Sequence, residues 1–145
     1  RGNFVKAYYQ RLISHDPRTR MEAARAWSIW EASTCKLILD ESMVKKFGED
    51  AFAEAFARIE CHYFINKSFM RSDNQLLDNI GAIRRIPGAI VQGRYDVVCP
   101  AKSAWELHRA WPEADFHIIP DAGHAAMETG IRSKLVECAD RFIEL

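Results

Sequence analysis

The stretch Ile86–His124 constrains this chain most, because it reads as strand, helix, strand with an ionisable residue beyond each strand. Ala89, Ile90 and Val91 form one short apolar run, closed by Gly93; Phe116, Ile118 and Ile119 form another, closed by Pro120. Short apolar runs bounded by turn residues read as buried strands. Between them Ala104, Trp105, His108 and Trp111 recur at helical spacing, and Pro112 stops the run. A strand, a helix and a strand of these lengths make a parallel crossover, which brings both carboxyl ends to one edge of a sheet. Asp96 and His124 lie just past those ends. They are therefore able to face each other at the edge where ligands and chemistry collect in open α/β sheets.

The composition narrows the field. A chain of 145 residues is long enough for one domain with a sizeable core. Its 20 Lys and Arg balance 20 Asp and Glu, so no nucleic-acid partner is implied; such binders usually carry a basic excess. No apolar run approaches the roughly 18 residues of a membrane span, so no membrane partner is expected. Cys35, Cys61, Cys99 and Cys138 form no C-x-x-C pair. They read as buried thiols in a reducing, cytoplasmic setting, without a zinc site; Cys99 in particular reads as a small buried residue rather than a reactive thiol. The opening Arg-Gly-Asn-Phe-Val-Lys has neither an initiator Met nor a signal-peptide apolar region. It reads as the start of a piece cut from something longer.

Ahead of the strands the pattern is helical. Phe4, Ala7, Tyr8 and Leu12 suit one helix face, and Asp16-Pro17 reads as an N-cap followed by a first helical position. The next helix is expected over roughly Arg18–Thr34, with Glu31 one turn after Trp27. Leu37–Lys46 reads as a loop leading into a helix, and Phe52, Phe56, Ile59 and Tyr63 mark another helix, with Glu60 close to its apolar face. A short helix is expected over Leu76–Ile83 and a last one over Gly130–Leu145, where Ile131, Leu135, Cys138 and Phe142 form a stripe. Taken alone, Glu31 suits a solvated carboxylate or a partner of Arg25 or Lys36, Glu60 a partner of Arg58, and Asp96 a turn cap. The four tryptophans suit packing. Two strands make a poor parallel sheet, which wants more strands and both faces covered. The rest of the sheet is expected outside these residues.

A series of motifs points further. It comprises Ala26-Trp27-Ser28-Ile29-Trp30-Glu31, Ala55-Phe56-Ala57-Arg58-Ile59-Glu60-Cys61-His62-Tyr63-Phe64, Gly93-Arg94-Tyr95-Asp96-Val97-Val98-Cys99-Pro100, Ala104-Trp105-Glu106-Leu107-His108 with Ala110-Trp111-Pro112, and Gly123-His124. In this order and spacing they resemble the C-terminal half of a prolyl iminopeptidase (proline aminopeptidase) of the α/β-hydrolase fold, from about Tyr8 onward. The resemblance implies an α/β fold: the C-terminal part of an α/β-hydrolase parallel sheet, residues 81–145, preceded by a helical cap region for substrate recognition, residues 1–80. It implies a serine exopeptidase that releases N-terminal proline from peptides without metal or cofactor. At matching positions Asp96 is the triad acid and His124 the base, in the acid-then-histidine order of these hydrolases. Glu31 and Glu60 hold the substrate's amino terminus, and Phe64 and Cys99 line the pocket for its ring.

The physics of these roles is independent of the resemblance. A serine hydroxyl attacks a carbonyl only when a base takes its proton, and the base needs a carboxylate to orient it and stabilise its cation. Two carboxylates near apolar surface are costly until a cation such as a substrate ammonium joins them. The nucleophile itself is expected upstream in a Gly-x-Ser-x-Gly elbow, and none of the serines here has that bracket. The oxyanion-hole segment is likewise expected upstream. These residues therefore hold half a catalytic site, expected to lack peptidase activity alone and to self-associate or be held by a missing N-terminal half. Two other readings stand beside this one: a non-catalytic helical peptide-binding or interaction module derived from such an enzyme, and another α/β-hydrolase such as an esterase or epoxide hydrolase. The last accounts for Asp96 and His124 but not for Glu31 and Glu60.

Overall fold

The computed structural model describes residues 3–143, which fold into two compact units. The first holds the described residues up to Ser33 together with Leu39–Arg71; the second holds Thr34–Ile38 and the described residues from Ser72 onward.

The first unit is helical: α1 (Phe4–Leu12), α2 (Pro17–Cys35, whose last residues group with the second unit), α3 (Glu41–Phe47) and α4 (Asp50–Ile65). Each helix start has a local cause. Asn3 accepts from Lys6 N at 3.0 Å. Asp16 caps α2 by accepting from Arg18 N at 3.3 Å, Thr19 N at 3.1 Å and Thr19 Oγ1 at 2.6 Å, with Pro17 as the first helical residue. The Thr19 hydroxyl and amide hold the Asp16 carboxyl below its ordinary range. Asp40 caps α3 through Ser42 N and Met43 N. Where the helices meet, the residues are small. Ala23, Ala24, Ala53, Ala57 and Cys61 are buried together with Leu12, and Ser28 Oγ donates to Ala53 O at 3.2 Å. Side chains of this size let backbones approach closely, so bulk added here has no space to fill. Burial also pushes the Cys61 thiol up from its ordinary range, which keeps it protonated. After α4 a 3-10 turn at Lys67–Phe69 runs through positive φ at all three residues (51°, 52° and 59°), with Phe69 tilted against His62 and edge-on to Tyr63. None of the three is Gly or Asn, although Asn66 stands immediately before them.

The second unit contains α5 (Gln75–Asp78), β1 (Ala89–Gly93), α6 (Ala101–Ala110), β2 (Asp115–Ile119) and α7 (Thr129–Phe142). The helix expected over Leu76–Ile83 is broken. The Asn79 amide donates to Gln75 O at 2.6 Å, ending α5 after one turn, and a 3-10 turn at Ile80–Ala82 follows. The end of the last expected helix, Leu145, lies outside the described residues.

The strands pair in parallel, Ala89 opposite Asp115 through Gly93 opposite Ile119. Side-chain alternation along a strand assigns the two sheet faces. On one face Phe116 stacks on His108 of α6 at 4.9 Å, with Trp105 beside it at 5.9 Å. On the other, Val91 and Ile119 pack with Ala122 and with Ile131 of α7. Each helix thus covers one face, as a crossover requires. Arg84 grips Glu113 with bonds of 2.6 and 3.0 Å, tying the approach to β1 to the approach to β2. Among the described residues no helix is long and apolar enough to cross a membrane, and no cluster of three or more His, Cys, Asp or Glu is fit to hold a metal ion.

Candidate active site

The second unit brings Asp96 and His124 together: His124 Nδ1 stands 2.9 Å from Asp96 Oδ2. Neither residue is in a strand. Each sits in the loop that follows one, and backbone bonds zip the two loops together. Arg94 N donates to Ile119 O at 2.9 Å and Tyr95 N to Ala122 O at 3.0 Å. Gly93 is what allows so close an approach, because a Cβ there would lie 1.8 Å from Gly123 O.

The Asp96 carboxylate is held from several sides. Its Oδ1 accepts from Val98 N at 2.9 Å and Cys99 N at 2.7 Å. Its Oδ2 faces His124 and also Gln92 Nε2, at 3.3 Å; the same amide reaches Gly93 O and Cys99 O. The Asp96 side chain is 6 % exposed, against 34 % for His124. A buried acceptor thus faces the inner nitrogen of a ring whose other side meets solvent. A carboxylate has no proton to give, so Nδ1 of the neutral ring donates, and Nε2 becomes the basic position. This is the hydrogen-bonding arrangement that the acid and base of a catalytic triad would need. Cys99 is exposed, not buried as expected: its amide is drawn to Asp96 at the mouth of the loop, which turns the residue away from the sheet.

The other predicted residues lie in the first unit and converge on Trp27. Glu60 accepts from Trp27 Nε1 at 2.6 Å. Glu31, one turn along α2 from Trp27, is 5 % exposed. Trp27 and Glu31 line a cavity of about 430 Å³ together with Tyr8, Trp30 and Phe64. The walls are aromatic, with Tyr8 edge-on to Trp27 at 5.4 Å and Phe64 tilted at 6.0 Å. Of the suggested ion-pair partners, Arg25 contacts Asp50, and Arg58 contacts Glu54 at 3.3 Å. Such a cavity, apolar with an acid at its wall, suits a small cation carrying an apolar body.

Sequence reasoning missed three residues. Gln92 was readable in principle, as the one polar side chain in an apolar strand. Trp27 was read as packing only, and nothing in the sequence announced its bond to Glu60. Glu128, which bonds the His124 loop, left no signal.

A parallel crossover with an acid after its first strand and a histidine after its second matches the acid-then-histidine order of α/β-hydrolases. Comparison with known proteins agrees. No family model matches the chain. It is 56 % identical over 143 residues to a probable proline iminopeptidase of Leptolyngbya boryana, a match covering 99 % of this chain and 44 % of that protein. It is 54 % identical over 135 residues to the proline iminopeptidase of Arabidopsis thaliana, covering 93 % and 36 %, and 41 % identical over 141 residues to that of Neisseria gonorrhoeae, covering 97 % and 44 %. The chain therefore spans less than half the length of these relatives, and it aligns with their C-terminal part. By this relationship it belongs to the proline iminopeptidases of the α/β-hydrolase fold.

Proposed function

We propose that this chain supplies the acid, the base and the amine-recognising side chains of a serine exopeptidase that releases N-terminal proline from peptides. The nucleophile and the oxyanion hole come from sequence outside these 145 residues. The observation that carries the reading is the 2.9 Å contact between the buried Asp96 carboxylate and His124 Nδ1, at the carboxyl edge of the strand pair.

In the reaction His124 Nε2 takes the proton of the serine hydroxyl as Oγ bonds to the scissile carbonyl carbon. Asp96 stabilises the imidazolium that forms. The C–N bond breaks as that proton passes to the leaving amine, leaving a prolyl ester on the serine. Water then adds by the same route: His124 takes its proton, returns it to the serine oxygen, and free proline departs.

Residues 1–80 act as the recognition cap. An N-terminal proline offers a secondary ammonium with two donors and an apolar ring. Glu31 and Glu60 take the ammonium, with Glu60 Oε1 available because the Trp27 indole engages Oε2. Phe64 offers an aromatic wall for the ring, and Cys99 is given the same role by its motif position alone. Glu31 is buried at the wall of an aromatic-lined cavity, and a charge-assisted bond from a bound ammonium to such a carboxylate is strong. Preference for a free amino terminus then follows from electrostatics. Four cysteines without a disulfide fit a cytoplasmic setting. The open edges of a two-stranded sheet fit association with the nucleophile-bearing part, or with another copy of the chain.

The test joins this chain behind the N-terminal part of the Leptolyngbya boryana relative and follows hydrolysis of a proline amide. Turnover is expected from the fusion, none from the 145 residues alone, and none after His124→Ala. Full turnover after His124→Ala sinks the reading. Turnover that survives both Glu31→Gln and Glu60→Gln unchanged favours a different α/β-hydrolase over an aminopeptidase.

A further inference from the structure

The segment that carries His124 is fastened at its backbone, and one side chain shares in the fastening. Glu128 Oε1 accepts from Gly123 N at 2.8 Å, and its Oε2 accepts from Leu37 N at 3.1 Å. One carboxylate thus bridges the residue before the histidine and a segment remote in sequence. The bridge is reinforced alongside: Cys35 O accepts from both His124 N and Ala125 N at 2.9 Å. The packing is tight, since a Cβ on Gly123 would lie 2.8 Å from Leu37 N.

Glu128 stands at the N-cap of α7, where a short polar side chain would ordinarily accept from the helix's own first amides. It makes no such cap bond. The longer glutamate reaches back past its own helix to the two loop amides, and its charge remains at the favourable end of the helix dipole. Bonds from N–H groups to a carboxylate are charge-assisted and stronger than those to a neutral acceptor.

We propose that Glu128 is the positioning residue of the general base: its carboxylate clips the His124 loop to residues 35–37 and so holds the imidazole on Asp96. The catalytic half of this inference rests on the reading of His124 as the base; the clip itself does not. Without the clip, Gly123 loses its acceptor, and the loop keeps only its backbone bonds to Cys35 O and from Tyr95 N. A 2.9 Å hydrogen bond does not survive displacement of its donor by an ångström. Aspartate is not a substitute. It is one methylene too short to span both amides and is drawn to cap α7 instead. Glutamine has one accepting oxygen and can satisfy only one of the two.

The test uses nuclear magnetic resonance on the full 145-residue chain, which needs no turnover. It follows the His124 Nδ1–H resonance and the exchange rates of the Gly123 and Leu37 amides. Glu128→Ala is expected to speed both exchanges at least tenfold and to abolish the His124 resonance. Glu128→Gln is expected to protect one amide and weaken the resonance. Glu128→Asp is expected to restore neither amide fully. Ile131→Val, which loosens the neighbouring core, should leave the resonance in place. Unchanged resonance and exchange in Glu128→Ala overturns the proposal. Should that variant fail to fold, wild-type protection of both amides in Glu128→Gln overturns it instead. If His124→Ala leaves turnover intact in the fusion enzyme, the catalytic reading falls while these measurements still decide the clip.

Discussion

Replacing Asp96 by asparagine is the sharpest probe of the site, because the surrounding bonds dictate how the amide must sit. Oδ1 of Asp96 accepts from two backbone amides, Val98 N and Cys99 N, while Oδ2 faces His124 Nδ1. In the Asp96→Asn variant the carbonyl oxygen must keep the Oδ1 position, since the opposite orientation sets an NH₂ against two N–H donors. Each bond to the nearly buried Asp96 side chain that is lost that way costs about 1–3 kcal/mol. The reversed orientation is therefore disfavoured by about 2–6 kcal/mol, or roughly 30-fold to more than 10⁴-fold. In the favoured orientation the NH₂ points at His124 Nδ1, which must become the acceptor. The proton then moves to Nε2, and the nitrogen that should take the serine proton already carries one. Turnover of the fusion enzyme should fall by about 10³- to 10⁴-fold, the scale of tautomer loss in other triads. The direct assay is the nitrogen spectrum of His124 in the 145-residue chain, where the pyrrole-type and pyridine-type nitrogens should exchange identities. An Asp96→Asn protein with Nδ1 still protonated, or with turnover within tenfold of the parent, would refute the argument.

Other outcomes follow from the same geometry. Gly93→Ala sets a methyl 1.8 Å from Gly123 O, a backbone atom that cannot swing aside, so the two loops must part by more than an ångström; the cost should be about 3 kcal/mol or more, read as a fall in urea midpoint, with loss of the His124 Nδ1–H resonance. Trp27→Phe keeps an aromatic wall but removes the donor to Glu60, so KM of the fusion enzyme for proline amides should rise several-fold while kcat changes less; an unchanged KM would count against a role for this bond. The lowered Asp16 pKa means the folded state favours the ionised cap, so its stabilising contribution is present above the unfolded-state value of about 4 and is lost as pH falls through the folded value. Asp16→Asn should therefore be less stable than the parent near neutral pH and converge with it in acid, followed by helical circular dichroism; a constant gap across that range would contradict the linkage.

The parts of the structure that sequence could reach are those whose cause is local. Asp16-Pro17 starts a helix because both residues act within one turn. Val91 and Ile119 read as strand residues because apolar runs bounded by Gly and Pro have few other uses. Asp96 and His124 were within reach because a crossover constrains where two strands end, whatever the rest of the sheet does. The failures share a different cause. Asn79 breaks a helix through a bond to Gln75 O that helical periodicity does not register. Lys67, Ser68 and Phe69 take left-handed conformations that their residue types disfavour, so packing against His62 and Tyr63 overrides local preference. Cys99 looks like a core residue by type, yet its amide serves Asp96 and its side chain is turned outward.

The same division explains why the pairing of Asp96 with His124 is legible while its support is not. Topology needs only a strand, a helix and a strand to bring two loops together, and that pattern is written in apolar periodicity. Holding an imidazole within hydrogen-bonding distance of a carboxylate needs much finer control. Here it comes from backbone groups that any residue carries: Cys35 O, Leu37 N, Gly123 N, Val98 N and Cys99 N. Only the side chains that engage them, Glu128 and Asp96, have an identity to read, and Glu128 bonds Leu37 across 91 positions. A glutamate ahead of a helix has many ordinary explanations. What singles this one out is that it leaves its own helix uncapped in order to hold the loop of the proposed base.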